Sequence, residues 1–199
     1  PDRFGFYSEL LASVQMATRR QVLGEIEASR FVSAVQQIAL AIDADFDAPE
    51  MGRLVAQAAE LDALCAQFDV QITLTLEALD GPMDSAVISA AAADAGFVAA
   101  PPGRWLKRDG QGRLLSTLTT TSLLADRVAL TLDVPLAPGD RESLAALFTA
   151  AHQLAARLNA RIVDDNGRPV EANAQVTIGA ELEKLYDEMR AAGIEPGGP

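Results

Sequence analysis

The stretch that decides the fold is Val128-Ala129-Leu130-Thr131-Leu132-Asp133-Val134-Pro135. Apolar side chains alternate along it with small or polar ones, which is the pattern of a β-strand with one covered face. Pro135 ends the strand because proline has no amide hydrogen to donate to a neighbouring strand. From Arg141 to Leu158 apolar residues then recur at steps of three and four, which predicts an amphipathic helix with Asp140 as its N-cap.

Other segments extend this pattern on both sides. Residues 70–77 alternate in the same way, and residues 114–120 and 161–164 are shorter strand candidates. Clean alternation is typical of antiparallel sheets, because strands buried on both faces are continuously apolar. Residues 85–95 and 179–192 are predicted helices that end at Gly96 and Gly193.

The N-terminal third repeats part of this order. Residues 31–44 align with 147–160 at an offset of 116, residues 59–64 with 180–185 at an offset of 121, and residues 10–16 weakly with the strand 130–136. An internal duplication explains this. We therefore predict a partial repeat (strand, helix, helix) at residues 1–68 and a complete domain at 69–199 with a loose tail from about residue 195. The first copy lacks any counterpart of residues 70–118, which we expect to lie upstream of Pro1.

Composition excludes several classes of protein. The 199 residues are 49% hydrophobic and carry a net charge of −12, with a pI near 4.4. This is the composition of a globular protein, and its charge disfavours binding of nucleic acid or contact with an anionic membrane surface. No apolar stretch approaches the roughly 18 residues of a membrane span. Cys65 is the only cysteine, so no internal disulfide forms, and we predict that it lies in the core.

The residue patterns that resemble sites of chemistry are better explained as structure. Asp43, Asp45 and Asp47 alternate as in a calcium loop, but the glycine and glutamate that such a loop needs are absent. Residues 164–167 (Asp-Asp-Asn-Gly) predict a tight turn rather than an acid–base pair. His152 is the only histidine and has no partner for a metal or a nucleophile. We predict no catalytic residues, no metal and no cofactor, and therefore a binding function.

One basic cluster has two interpretations. Lys107, Arg108 and Arg113 surround a turn containing Gly110 and Gly112, next to Trp105. The cluster either binds an acidic peptide or is an exposed charged turn, and the turn is favoured.

Several short motifs in a fixed order resemble a known family. They are Gly96-Phe97 after the first helix, the segment 103–112 (Gly-Arg-Trp-Leu-Lys-Arg-Asp-Gly-Gln-Gly), Val134-Pro135 before the long helix, and Val163-Asp164-Asp165 after it. Together they resemble the C-terminal domain of the bacterial cell-division protein ZipA, over residues 69 to about 192.

This resemblance implies an α+β domain of the split β-α-β type, with an antiparallel sheet of about six strands and helices on one face. The other sheet face in that family is a shallow groove that binds the C-terminal tail of FtsZ. Such a domain is a non-enzymatic adaptor that tethers the division ring to the cytoplasmic face of the inner membrane, through an anchor outside this chain.

The groove positions carried over from the family contain threonine where bulkier side chains would bind an apolar peptide. This predicts weaker binding, or a different ligand. The alternative is an assembly module in which the groove face packs against the other repeat or a second copy, and a homodimer through the N-terminal half-repeat is a further candidate. The candidate contact residues are Thr73, Thr75, Val98, Ala100, Trp105, Leu118, Thr120 and Thr131.

Overall fold

A computed structural model of the chain describes residues 7–120 and 123–197. The chain divides into two compact units, Pro1–Gln67 and Phe68–Pro199. The first unit contains the helices α1 (Glu25–Ala41) and α2 (Met51–Phe68), the second of which ends at the unit boundary.

The core of the first unit is small. It is built on the buried residues Leu23, Ala28 and Ala58, and the partly buried Val14 and Met16 pack against them. The strand that we predicted at residues 10–16 is not formed, since within the described residues this segment has no regular structure beyond an isolated bridge between Ala17 and Val22. A strand is defined by the ladder to its neighbour, and residues 7–67 provide no neighbouring strand.

The described part of the second unit contains eight strands. They are β1 (Gln71–Ala78), β2 (Met83–Asp84), β3 (Val98–Ala99), β4 (Arg104–Arg108), β5 (Leu114–Thr119), β6 (Leu124–Ala125), β7 (Arg127–Asp133) and β8 (Ala160–Val163). Six of them form an antiparallel sheet in the order β3-β4-β5-β7-β1-β8, and β2 pairs with β6. The predicted α+β class with a six-stranded sheet is confirmed.

Three helices complete this unit: α3 (Ser85–Asp94), α4 (Arg141–Leu158) and α5 (Ala174–Ala191). The predicted caps are present, because Asp84 accepts from the amide of Ala86 and Asp140 from the amide of Ser143. α4 has its predicted bounds. α5 begins at Ala174, earlier than the predicted Gly179, and its half-buried Ile178 extends the apolar stripe by one turn before Leu182.

Helices cover one side of the sheet. α4 packs on β1, β5, β7 and β8, and α3 and α5 lie against α4. The core of this layer is fully buried and includes Leu76, Leu130, Leu147 and Leu154. Among the described residues, no helix is both long and apolar enough to cross a membrane.

Two sequence predictions are wrong. Cys65 is exposed on α2 rather than in the core. The tail is not loose up to Gly197, since Pro196 is buried and the amide of Gly197 donates to the carbonyl of Pro135 at 3.0 Å. Gly197 has a φ of +70°, and a Cβ there would lie 2.9 Å from the backbone nitrogen of Pro138, so this close docking depends on glycine.

Candidate functional site

The two faces of the six-stranded sheet differ in burial because side chains alternate along each strand. On β7, Val128, Leu130 and Leu132 are fully buried against the helices, whereas Ala129 and Thr131 are half-buried on the opposite side. We call the side that α4 covers the inner face and the opposite side the outer face. By register the outer face contains Gln71, Thr73, Thr75, Glu77, Val98, Arg104, Leu106, Thr117, Thr119, Arg127, Ala129, Thr131, Asp133, Arg161 and Val163. Val163, opposite Thr75, is fully buried.

A row of five residues crosses the middle of the outer face, one from each of five strands. Val98 lies opposite Leu106, Leu106 opposite Thr117, Thr117 opposite Thr131, and Thr131 opposite Thr73. The hydroxyl oxygens of Thr73 and Thr131 are 3.1 Å apart and share a hydrogen bond. Val98 is 71% exposed, whereas Leu106 and the threonines are half-buried. This central row combines one exposed and one half-buried aliphatic side chain with three hydroxyl-bearing ones.

Polar residues lie at one end of the face. The carboxylate of Glu77 accepts hydrogen bonds from Arg127 on one side, at 2.6 Å, and from Arg161 on the other, also at 2.6 Å. These hydrogen bonds, chiefly the one from Arg127, lower the pKa of Glu77 from its ordinary value of 4.5. The carboxylate therefore joins three neighbouring strands, β7, β1 and β8, across the outer face.

Protonation of Glu77 at low pH is expected to weaken its hydrogen bonds to Arg127 and Arg161. Because the pKa of Glu77 is lowered in the folded chain, its contribution to stability is fully present above pH 4.5 and is lost as the pH falls through the folded value. The measurement is urea denaturation of the native chain and of Glu77→Gln, from neutral pH to about pH 3. The stability difference between them should narrow below pH 4.5. A difference that stays constant with pH would contradict the role given to Glu77.

Four of the predicted contact residues lie on the outer face: Thr73, Thr75, Val98 and Thr131. Thr75 pairs with Ala129 of β7 and Val163 of β8. The alternation of residues 70–77 and 128–134 placed these threonines correctly. Their role in binding a partner stays a prediction.

Trp105 and Leu118 are placed differently from our prediction. Trp105 is 6% exposed and Leu118 is fully buried. They are directly opposite each other, and Leu118 is opposite Leu130, so all three belong to the inner face. Neither side chain is available on the outer face, because directly paired residues point to the same side of a sheet.

Ala100 and Thr120 lie beyond the ends of their strands, at the turn between β3 and β4. The amide of Ala100 donates to the carbonyl of Arg104, and the amide of Thr120 donates to that of Gly103. Gly103 has a φ of +74°, and a Cβ on it would lie 2.4 Å from the carbonyl oxygen of Thr120. Only glycine allows this close approach, so these residues shape the edge of the outer face.

The sequence analysis missed Leu106, Thr117, Thr119 and Arg104. Two features of the sequence could have identified them. Thr117 and Thr119 alternate with the buried Ser116 and Leu118, and Leu106 is the residue next to the buried Trp105.

The basic cluster around Trp105 makes local contacts. The ammonium of Lys107 donates to the carbonyl of Ala95 at 2.9 Å and lies 5.5 Å from the ring centre of Phe97, and burial lowers its pKa. Arg108 donates to the carbonyl of Gly112, and Arg113 pairs with Asp109 at 2.7 Å. These contacts support the interpretation as a structured turn.

The other candidate sites have structural roles. Asp43 has a φ of +55° directly after α1, which is a helix-ending conformation. Within residues 7–120 and 123–197, no group of three His, Cys, Asp or Glu side chains is placed to hold a metal. His152 is exposed on α4, and Asp164 accepts from the amides of Asn166 and Arg168, as in a tight turn.

A cavity of about 610 Å³ lies in the helix layer, between the start of α4 and α5. The hydroxyl of Tyr186 is buried there without a partner in the described structure, and burial raises its pKa to about 12. The charged side chains around the cavity pair with one another, Arg141 with Glu183 and Arg190 with Asp187. The cavity lies among the helices and is therefore separate from the outer face.

The second unit is thus an α+β domain with helices on one side of an antiparallel sheet and an opposite, outer face that α4 does not cover. Residues 116–180, from β5 into α5, match the family model described as ZipA, C-terminal FtsZ-binding domain. The resemblance found in the sequence is confirmed over that segment. The description of that family names FtsZ as its binding partner. No curated protein matches the chain.

Proposed function

We propose that this chain is a non-enzymatic cell-division adaptor whose outer face binds the C-terminal tail of FtsZ. The observation that carries the proposal is the central row, where the exposed Val98 of edge strand β3 and the half-buried Leu106 of β4 continue into a row of threonines. The family match over residues 116–180 supports the identity of the partner.

Binding would come from apolar side chains of the tail laid across the strands. Val98 and Leu106 offer most of the apolar area, and the threonine methyl groups add less. Burying a large aliphatic side chain contributes about 1.5–3 kcal/mol, so a row with three threonines should bind the tail more weakly than a fully aliphatic row would. Arg127 and Arg161 lie away from the row, at the level of Glu77 four residues further along β1, and both already pair with that carboxylate.

We also propose that the domain tethers the division ring to the cytoplasmic face of the inner membrane. The outer face itself would only bind FtsZ. The membrane attachment would come from a segment outside this chain.

The experiment is calorimetric titration of the folded chain with a synthetic FtsZ tail peptide. Val98→Glu is expected to weaken binding about tenfold, because it removes apolar contact and adds a charge to the surface that the peptide covers. Val176→Glu is the matched control, since Val176 is 75% exposed but lies on α5. The control should bind as the native chain does.

Absence of binding by the folded native chain at high micromolar concentration would reject the FtsZ assignment. The alternative function, an assembly module whose outer face packs on the other repeat or a second copy, predicts that result. Packing on a second copy also predicts an oligomer in solution that Val98→Glu dissociates, whereas packing on the other repeat predicts a monomer.

A further inference from the structure

The outer face differs in charge from the rest of the chain. It carries three arginines, Arg104, Arg127 and Arg161, and two carboxylates, those of Glu77 and Asp133, which gives it a net charge of +1. The whole chain has a net charge of −12. A patch whose sign is opposite to that of the rest of the molecule directs a negatively charged partner to itself.

Four of these five charged groups have partners in the fold. The carboxylate of Glu77 pairs with Arg127 and Arg161, and the carboxylate of Asp133 accepts from a side-chain amide of β1 at 3.1 Å. Arg104 is the exception. It is exposed, and its guanidinium forms no hydrogen bond or ion pair in the part of the chain that the structure describes. One positive charge of the outer face is therefore available to a partner.

Other arginines of the second unit are used by the fold. The side chains that donate to a carbonyl or a carboxylate include those of Arg108, Arg113, Arg141, Arg157 and Arg190. For Arg104, the backbone carbonyl accepts from the amide of Ala100, but the side chain has no comparable contact among the described residues. Replacing that side chain should therefore leave the fold intact.

Arg104 lies beside the central row. It is two residues before Leu106 on β4, so both side chains point to the outer face and their Cα atoms are about 6.6–6.8 Å apart. Arg104 is opposite Thr119, Thr119 is opposite Ala129, and Ala129 is opposite Thr75. These three neighbours are short and half-buried. They do not separate the guanidinium from a peptide that lies on the central row.

We propose that Arg104 binds a carboxylate of the partner peptide while an apolar side chain of the same peptide packs on Val98 and Leu106. This inference rests on the proposed function, in which the peptide is the FtsZ tail. A guanidinium and a carboxylate form two parallel hydrogen bonds, which fix orientation as well as adding affinity. In an extended peptide, side chains two residues apart have the same spacing as Arg104 and Leu106. The recognised motif is therefore an acidic residue two positions from an apolar one.

The charge of Arg104 supplies specificity rather than most of the affinity. The aliphatic side chains of the central row can accept any apolar peptide side chain. A single guanidinium at the edge of the contact favours an acidic peptide, fixes its register and disfavours a basic one.

The test is calorimetric titration of the folded chain with the synthetic FtsZ tail peptide and with versions in which each acidic residue in turn is replaced by its amide. One amide version should bind the native chain about fivefold more weakly, because it loses the charge pair with Arg104. Arg104→Gln should bind the unmodified peptide more weakly by the same factor and should no longer distinguish the two peptides. Arg104→Lys keeps the charge and should retain part of the preference.

The matched control is Arg157→Gln, which removes the same charge from α4, on the opposite side of the sheet. It should bind both peptides as the native chain does. Raising the salt concentration should reduce the preference for the acidic peptide in the native chain, because salt screens exposed charge pairs. The circular dichroism spectrum and the urea midpoint of Arg104→Gln should match those of the native chain.

The outcomes separate this inference from the proposed function. If the native chain binds no version of the peptide, the FtsZ assignment fails and the role of Arg104 fails with it. If the native chain binds every version equally, or if Arg104→Gln keeps the preference for the acidic peptide, the role of Arg104 is overturned and FtsZ binding stands. A preference that is lost in Arg104→Gln and kept in Arg157→Gln supports both.

Discussion

Replacing Trp105 with alanine is expected to lower the free energy of unfolding of the second unit by about 3–5 kcal/mol. The side chain is 6% exposed and lies on the inner face, opposite the fully buried Leu118. Its removal leaves a cavity beneath the sheet, and large-to-small changes in a core lose both burial and packing. The measurement is urea denaturation followed by circular dichroism, because Trp105 is the only tryptophan and its fluorescence is lost in the variant.

The control for Trp105 is its neighbour. Leu106→Thr changes the outer face, so it should cost less than about 1 kcal/mol of stability and instead weaken peptide binding. Together the two variants test which side chain of β4 lies on each face of the sheet. Unchanged stability in Trp105→Ala, together with loss of peptide binding, would place Trp105 on the outer face and contradict the register.

The sequence predicted the parts of the fold that depend on local pattern. The alternation of β7, the stripe of α4 and the caps Asp84 and Asp140 are all determined by residues within a few positions of one another. Each was found because its cause lies in the segment itself. The threonines of the outer face followed from the same alternation.

The face of β4 was not predictable in this way. Its apolar residues Trp105 and Leu106 are adjacent, so alternation alone allows either to face the helices. The decision comes from pairing with β5, where Leu118 is opposite Trp105 and Thr117 is opposite Leu106. Register is a property of two strands, and a single sequence pattern does not contain it.

Two other differences also arise from distant contacts. The tail packs against Pro135 and Pro138, about sixty residues away in sequence. Its glycines and prolines are typical of a flexible tail, but in the structure they allow it to approach these residues closely. Residues 10–16 keep the apolar alternation of a strand but do not form one. In the second unit the equivalent strand depends on β1 and β5, and a pattern without these neighbours gives no ladder.

Equivalent positions in the two units are expected to respond very differently to truncation. Leu154→Ala on α4 should cost about 2–5 kcal/mol, because Leu154 is fully buried against the sheet. Ile38→Ala, the matching change on α1, should cost less than about 1 kcal/mol in dilute solution, because Ile38 is 58% exposed. The same deletion of aliphatic carbons is thus measured at two positions that the sequence alignment pairs, one exposed and one buried. Denaturation at low micromolar concentration gives both values.

The difference between the two costs follows from burial alone. Leu154 packs against strands of its own unit, so its truncation should remain the more costly one at every chain concentration. Equal costs for the two variants would mean that Ile38 is buried in the folded chain, which would contradict its exposed position on α1.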